Sequence, residues 1–390
     1  GGTVISAGTL QVSSTGSLNT GNYTGTISNA GTLTYASSAD QTLAGVISGA
    51  GALNKTTNSS TLTLSGNNSY TGLTTVSAGI AKISHANALG GSGTGTNVSS
   101  TGAVHFDGTN LTVPEPFNIS GNGSGTGALL NLANTNTVSR TVTLGAAATV
   151  GSTAGTLVFD HATALANSFD AAALSAYALS VVGAGNVTIV DPIATVNGTV
   201  TKGVAVSDTG TLSLQGANTY AGATSINYGT VEISNDTSLG TAVGATTVAS
   251  GAMLQVAGNG SLSSAEPLTI SGTGVSSAGV LNFTASATLS GTVAMAADST
   301  VQVASSKNGI LSGVVSGTSL GLTKTGAGTL TLSGSSTNTY TGATTISAGT
   351  LALGAANKIA DTSAVSMANS TTFNLANYSE TVGSIATSDT

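Results

Sequence analysis

The sequence predicts an all-β fold in which short parallel strands wind into a coil, a β-solenoid. Three observations predict it: a long internal repeat, strict apolar/polar alternation in short runs that stop at glycine, and a composition too poor in charge to cover an ordinary globule. Of 390 residues, 5% are charged and 54 are glycine, with no cysteine and no tryptophan; about 25% charge is usual. Hydrophobic residues still make up 39%, enough apolar surface to offset the entropy of ordering, so disorder is not expected.

The repeat comes first because it sets the architecture. "TLTLSGNNSYTG" (Thr61 to Gly72), "TLSLQGANTYAG" (Thr211 to Gly222) and "TLTLSGSSTNTYTG" (Thr329 to Gly342) align, and each runs directly into a tail: "LTTVSAGIAKI", "ATSINYGTVEI", "ATTISAGTLAL". The regions between them also match, "PEPFNISGNGSGTGALLNL" from Pro114 with "AEPLTISGTGVSSAGVLNF" from Ala265. Tyr70 and Tyr220 lie 150 positions apart, Tyr220 and Tyr340 120. The difference falls within 151–211, an insertion of about 33 residues when the matching segments are aligned, as a stack of coils permits. That insertion holds the one segment with helical character, Ser168 to Ser180, with Ser168 as its N-cap.

The alternating runs "TLTLSG", "GTLAL", "AMLQV" and "ALLNL" read as half-buried strands. Stacked as a coil, they direct Leu, Val and Ile inward and Thr, Ser and Asn outward. Every rung then pairs with the rungs above and below, so few charges are needed to guard sheet edges. Glycine supplies the corners, where φ > 0 is required. Asparagine serves next best, which accounts for Asn-Gly at Asn122, Asn197, Asn259 and Asn308. The expectation is one continuous solenoid over 1–390, a rod of roughly 16 to 20 rungs and on the order of 80 to 100 Å at about 4.8 Å per rung.

The stretch Leu322 to Leu353, "LTKTGAGTLTLSGSSTNTYTGATTISAGTLAL", resembles the autotransporter-associated β-strand repeat of bacterial autotransporter passenger domains and surface adhesins. Sister copies lie at 53–83 and 202–233, with a half motif at 3–12. The resemblance implies a right-handed parallel β-helix, extracellular at the bacterial cell surface. The chain shows neither a leader nor the family's C-terminal membrane barrel, and it begins inside a motif. It is therefore expected to be a segment of a longer rod, or a subunit that stacks head to tail into a filament.

Candidate chemistry is sparse. The net charge of −7 with no basic cluster excludes nucleic acid as a partner, and the absence of cysteine excludes thiolate catalysis and Cys-based zinc sites. No apolar stretch reaches the roughly 20 residues of a membrane helix. Three histidines occur: His105 with Asp107 on one strand face, and His161 beside Asp160 on opposite faces. The first pair has the spacing for proton transfer, and a polysaccharide-acting β-helix enzyme is the alternative that it keeps open. Thr-x-Thr at Thr61/Thr63, Thr141/Thr143 and Thr329/Thr331 raises a second alternative, an ice-binding grid. Asn-x-Ser/Thr at Asn22, Asn97 and Asn197 offers glycosylation acceptors.

The recurrent Tyr70, Tyr220 and Tyr340, in Asn-x-Tyr-x-Gly corners, are the candidate site residues, either stacking on sugar rings at the surface or covering the end of the core. The function expected is a structural rod without catalytic residues, cofactor or metal, a stalk or adhesin that associates end to end or adheres to surface glycans or host matrix.

Overall fold

A computed structural model describes residues 1–91, 93–163, 166–171, 176–258 and 262–388. They fall into two compact units, Gly1–Gly198 and Thr199–Thr390. Each is a parallel β-solenoid, and no α-helix occurs among the described residues.

In the first unit the strands containing Thr9, Thr32, Leu53, Thr74, Thr96, Phe117, Val142, Phe169 and Ile193 pair in succession, every one parallel to the next. Eight steps of about 4.8 Å make this ladder roughly 40 Å long. Long strands such as Val142–Ser152 turn a corner and serve two sheets, pairing through Val142 with Phe117 and through Val150 with Leu129. The second unit repeats the scheme, its described strands falling in two sheets. One runs from Thr211–Leu214 through Thr230–Ile233 and onward to Ser384–Ser388. A separate sheet of six strands begins at Leu262–Ser264 and ends at Thr372–Asn374.

The alternation seen in the sequence becomes burial directly. Leu62 and Leu64 are buried while Thr61 and Thr63 are only partly so; the same pattern holds for Leu330 and Leu332 against Thr329 and Thr331. Inward aliphatics of successive rungs face one another in register, for example Val76, Val98 and Ile119 in the first unit and Leu254, Leu281 and Val301 in the second.

Several sequence expectations are corrected. The segment Ser168 to Ser180 is not a helix where it is described. Phe169–Ala171 pairs with Val142 to Leu144, and Leu179 and Ser180 open a strand paired with Ala148 and Thr149; residues 172–175 lie outside the described residues. Ladder pairing with adjacent rungs, where Phe169 also packs its ring 4.7 Å from Phe159, outweighs local helix propensity. Nor do Thr, Ser and Asn uniformly face outward: Thr74, Thr96, Thr224, Thr246, Thr344, Asn131 and Asn136 are buried. They are tolerated because each is hydrogen-bonded, as where the Asn136 side-chain amide donates to Asn131 Oδ1 at 2.7 Å. Of the Asn-Gly pairs, Asn308 opens strand Asn308–Leu311 rather than forming a turn, and Asn259 lies outside the described residues. At Asn197 the left-handed residue is the preceding Val196, with φ of 53°.

Candidate functional site: the repeat corners

The recurring motif builds one corner three times. Tyr70, Tyr220 and Tyr340 are all 0% exposed, so they lie inside and offer no ring face to a ligand. Each hydroxyl pairs with a threonine Oγ1 four residues on: Thr74 at 2.6 Å, Thr224 at 2.8 Å and Thr344 at 2.9 Å. Burial pushes the three phenols up, that of Tyr340 to about 12.

The asparagine two residues earlier clamps the neighbouring rungs. Asn68 Oδ1 accepts from Ile47 N–H at 2.8 Å and its Nδ2 donates to Ala88 O at 2.6 Å. Asn338 does the same between Val315 N–H, 2.9 Å, and Lys358 O, 3.0 Å. A buried side chain that satisfies one backbone group on each side closes an account that the corner itself leaves open.

Sequence reasoning missed the lysines. Four of the six are at most 1% exposed: Lys55, Lys202, Lys324 and Lys358. The first three occupy one motif position, "NKT", "TKG" and "TKT". Their ammonium groups are held by main-chain carbonyls. Lys324 Nζ donates to Thr325 O and Gly326 O, each at 2.7 Å, and to Ala348 O on the next rung at 3.1 Å. Lys202 Nζ donates to Asp208 O at 2.7 Å, and Lys55 Nζ to Thr57 O and Ala78 O. Desolvation lowers all three to about 8. The glycine of the facing corner, Gly79, Gly229 or Gly349, has φ of 70° to 71°, and an added Cβ would strike carbonyl oxygens of the adjacent rung. The sequence signal was the lysine's return at one motif position in so charge-poor a chain.

Two buried carboxyls were also missed. Glu115 and Glu266, 2% and 4% exposed, each precede a proline in the matched inter-motif segments. Thr96 Oγ1 donates to Glu115 at 2.7 Å and Thr246 Oγ1 to Glu266 at 2.9 Å. Thr96 and Thr246 are the register partners of Thr74 and Thr224, the tyrosine-bonded threonines. Burial pushes both carboxyls up to about 7, with the threonine bonds opposing. The third corner has Glu380, whose two oxygens accept from Lys358 N–H and Ile359 N–H at 2.8 and 3.2 Å.

The histidine pairs do not form proton relays. Asp107 is engaged by Lys82 at 3.0 Å, and burial lowers His105 to about 4, with Lys82 adding to the effect. His161 Nδ1 accepts from Thr163 N–H at 3.0 Å, and the backbone N–H of His161 donates to Asp191 Oδ2 at 2.6 Å. Among the Thr-x-Thr pairs, Thr63 has Thr42 on one side and Lys82 on the other, and Thr329 has Thr350 beside it, but Thr61 faces Ile80, Thr143 faces Asn118 and Asp170, and Thr331 faces Ile310 and Ala352, so none of these pairs meets a second Thr-x-Thr pair on the next rung.

The corners and ladders together define a repeat protein of the parallel β-solenoid class. Residues 1–12, 57–80, 206–233 and 322–353 match the passenger-associated-transport-repeat, which fits the resemblance to autotransporter passenger repeats drawn from the sequence. No curated protein and no solved structure matches the chain.

Proposed function

We propose that the chain is a non-enzymatic structural segment of a surface-displayed passenger, a stalk whose outward faces adhere to glycans or host matrix. The repeat and the solenoid support an extracellular passenger role. The observation that carries the structural reading is the fate of the motif's polar residues: lysine, asparagine and tyrosine are buried at every full corner and spend their hydrogen bonds inside the coil, on their own corner and on neighbouring rungs. The motif's chemistry therefore serves stacking, and what remains for a partner is the exposed face of the ladders. Neither cofactor nor nucleic acid belongs to this reading.

The test is display of the chain on a bacterial outer membrane through an autotransporter barrel. Antibody labelling of intact cells and retention on glycan-coated or matrix-coated surfaces are expected. Turnover of a polysaccharide by the purified chain would overturn the non-enzymatic assignment. A mass that climbs with concentration in sedimentation would assign the outward faces to self-association instead.

A further inference from the structure

Glu115 and Glu266 stand in equivalent Glu-Pro corners, each joining two strands: Thr112–Val113 to Phe117–Gly121 in the first unit and Leu262–Ser264 to Leu268–Gly272 in the second. Two bonds run to each corner from one threonine of the preceding rung. Thr96 N–H donates to Pro116 O at 2.9 Å and Thr96 Oγ1 to Glu115 Oε1 at 2.7 Å; Thr246 N–H donates to Pro267 O at 2.9 Å and Thr246 Oγ1 to Glu266 Oε1 at 2.9 Å. Proline has no N–H to add to the ladder, so the carboxyl supplies one of the two fastenings.

These corners suit the neutral acid. Other carboxylates of the chain are held as anions: Glu380 accepts from Lys358 N–H and Ile359 N–H, Asp208 from Val204 N–H and Ala205 N–H, and Asp107 pairs with Lys82. Glu115 and Glu266 have no such support. Among the described residues the threonine hydroxyl is the one group bonded to either carboxyl, neither has an ion-pair partner, and Glu266 Oε2 is buried with no partner at all. Ionisable groups on the adjoining corners do not substitute. His85 Nδ1 accepts from Asn87 N–H at 3.1 Å, Arg140 is exposed, and Asp236 accepts from Ser263 N–H at 2.7 Å. Tyr70 and Tyr220, two rungs back, are phenols that burial keeps neutral. An anion formed at either corner therefore lacks the charge and the hydrogen bonds that offset desolvation.

We propose that each Glu-Pro corner is a proton-dependent latch: protonated, the carboxyl fastens its segment to Thr96 or Thr246, and ionised, it lets residues 114–116 or 265–267 leave that threonine for water while the rest of the rung stays paired. The device works inside each unit. The third corner lacks it, because Glu380 has both oxygens on backbone N–H groups. The sign follows from linkage. The closed carboxyl is pushed up to about 7 by burial and the opened one returns to an ordinary 4.5, so closure is strongest below pH 4.5 and weakens as pH rises to 7.

The experiment is amide hydrogen exchange on the whole chain, isotope-labelled at threonine and leucine and read by NMR. The Thr96 and Thr246 amides report the latches. Leu53 and Leu322, whose N–H groups make the equivalent bonds to Leu73 O and Ala343 O, report the coil where no such carboxyl stands. After correction for the intrinsic rate at each pH, protection at Thr96 and Thr246 is expected to fall about thirtyfold between pH 5.5 and 8.5, the ratio set by the closed and open carboxyl values, with Leu53 and Leu322 unchanged. Glu115→Gln keeps an acceptor that cannot ionise, and is expected to flatten the profile of Thr96 while leaving that of Thr246; Glu266→Gln does the reverse. The proposal is overturned if protection at Thr96 and Thr246 is constant, if Leu53 and Leu322 lose theirs in step, which would place the pH effect on the unit as a whole, or if either profile survives in its own Gln variant.

Discussion

Glu115 and Glu266 make the fold's stability depend on pH in a direction opposite to that of salt-bridged acids. Each carboxyl is nearly fully buried, and its folded value is pushed up to about 7 from an ordinary 4.5. Below pH 4.5 both folded and unfolded chains hold the proton, and the stabilising contribution of the neutral form is complete. As pH rises from 4.5 to 7 the unfolded chain ionises while the folded one resists, so stability falls. At 1.36 kcal/mol per tenfold, the loss is at most about 3 kcal/mol per site. The buried lysines add no slope in this window, because their folded value of about 8 keeps them protonated in both states. The perturbation is Glu115→Gln with Glu266→Gln, which keeps an acceptor for Thr96 and Thr246 but cannot ionise. Guanidinium melts of parent and double variant at pH 4.5 and 7.5 provide the assay. The two chains are expected to coincide at pH 4.5, and the variant to be more stable at pH 7.5 by about 2 to 3 kcal/mol in each unit. A variant less stable than the parent at pH 7.5, or an unchanged difference between the two pH values, would refute the reasoning.

Three further outcomes test the corners. Amine-reactive ester labelling of the folded chain should modify Lys82 and Lys307 and spare Lys55, Lys202, Lys324 and Lys358 until denaturant is added, as read by peptide mass mapping. Tyr220→Phe removes only the hydroxyl bond to Thr224 and should cost about 1 to 2 kcal/mol, whereas Tyr220→Ala leaves a cavity and should cost about 3 to 5 kcal/mol; equal losses in denaturant melts would reject the packing role. Gly349→Ala, at φ of 70° and against the carbonyls of Gly326 and Gly328, should lower the unfolding midpoint by a margin worth about 2 kcal/mol or more, while Gly93→Ala, with open space around the position, should leave it unchanged.

Period-two alternation and glycine punctuation were enough to predict an all-β solenoid, because stacking in register needs only an inward aliphatic at every second position and a turn between strands. The self-similarity that locates Tyr70, Tyr220 and Tyr340 was equally visible, being a matter of spacing. What the side chains at those corners do was not. Lys324 reads as a surface charge until Thr325, Gly326 and Ala348 are seen to converge on its ammonium, and those carbonyls come from two rungs separated by a full turn of chain. Glu115 meets Thr96 for the same reason, across 19 positions. The segment from Phe169 shows the limit most plainly: alone it has helical composition, yet the rung edges of Val142 and Ile193 offer it ladder partners, and strand pairing prevails. Local pattern thus determined the kind of fold, since alternation and turns act between near neighbours. Only the tertiary structure decided which polar groups are buried, because their partners lie one rung away in space and about twenty residues away in sequence.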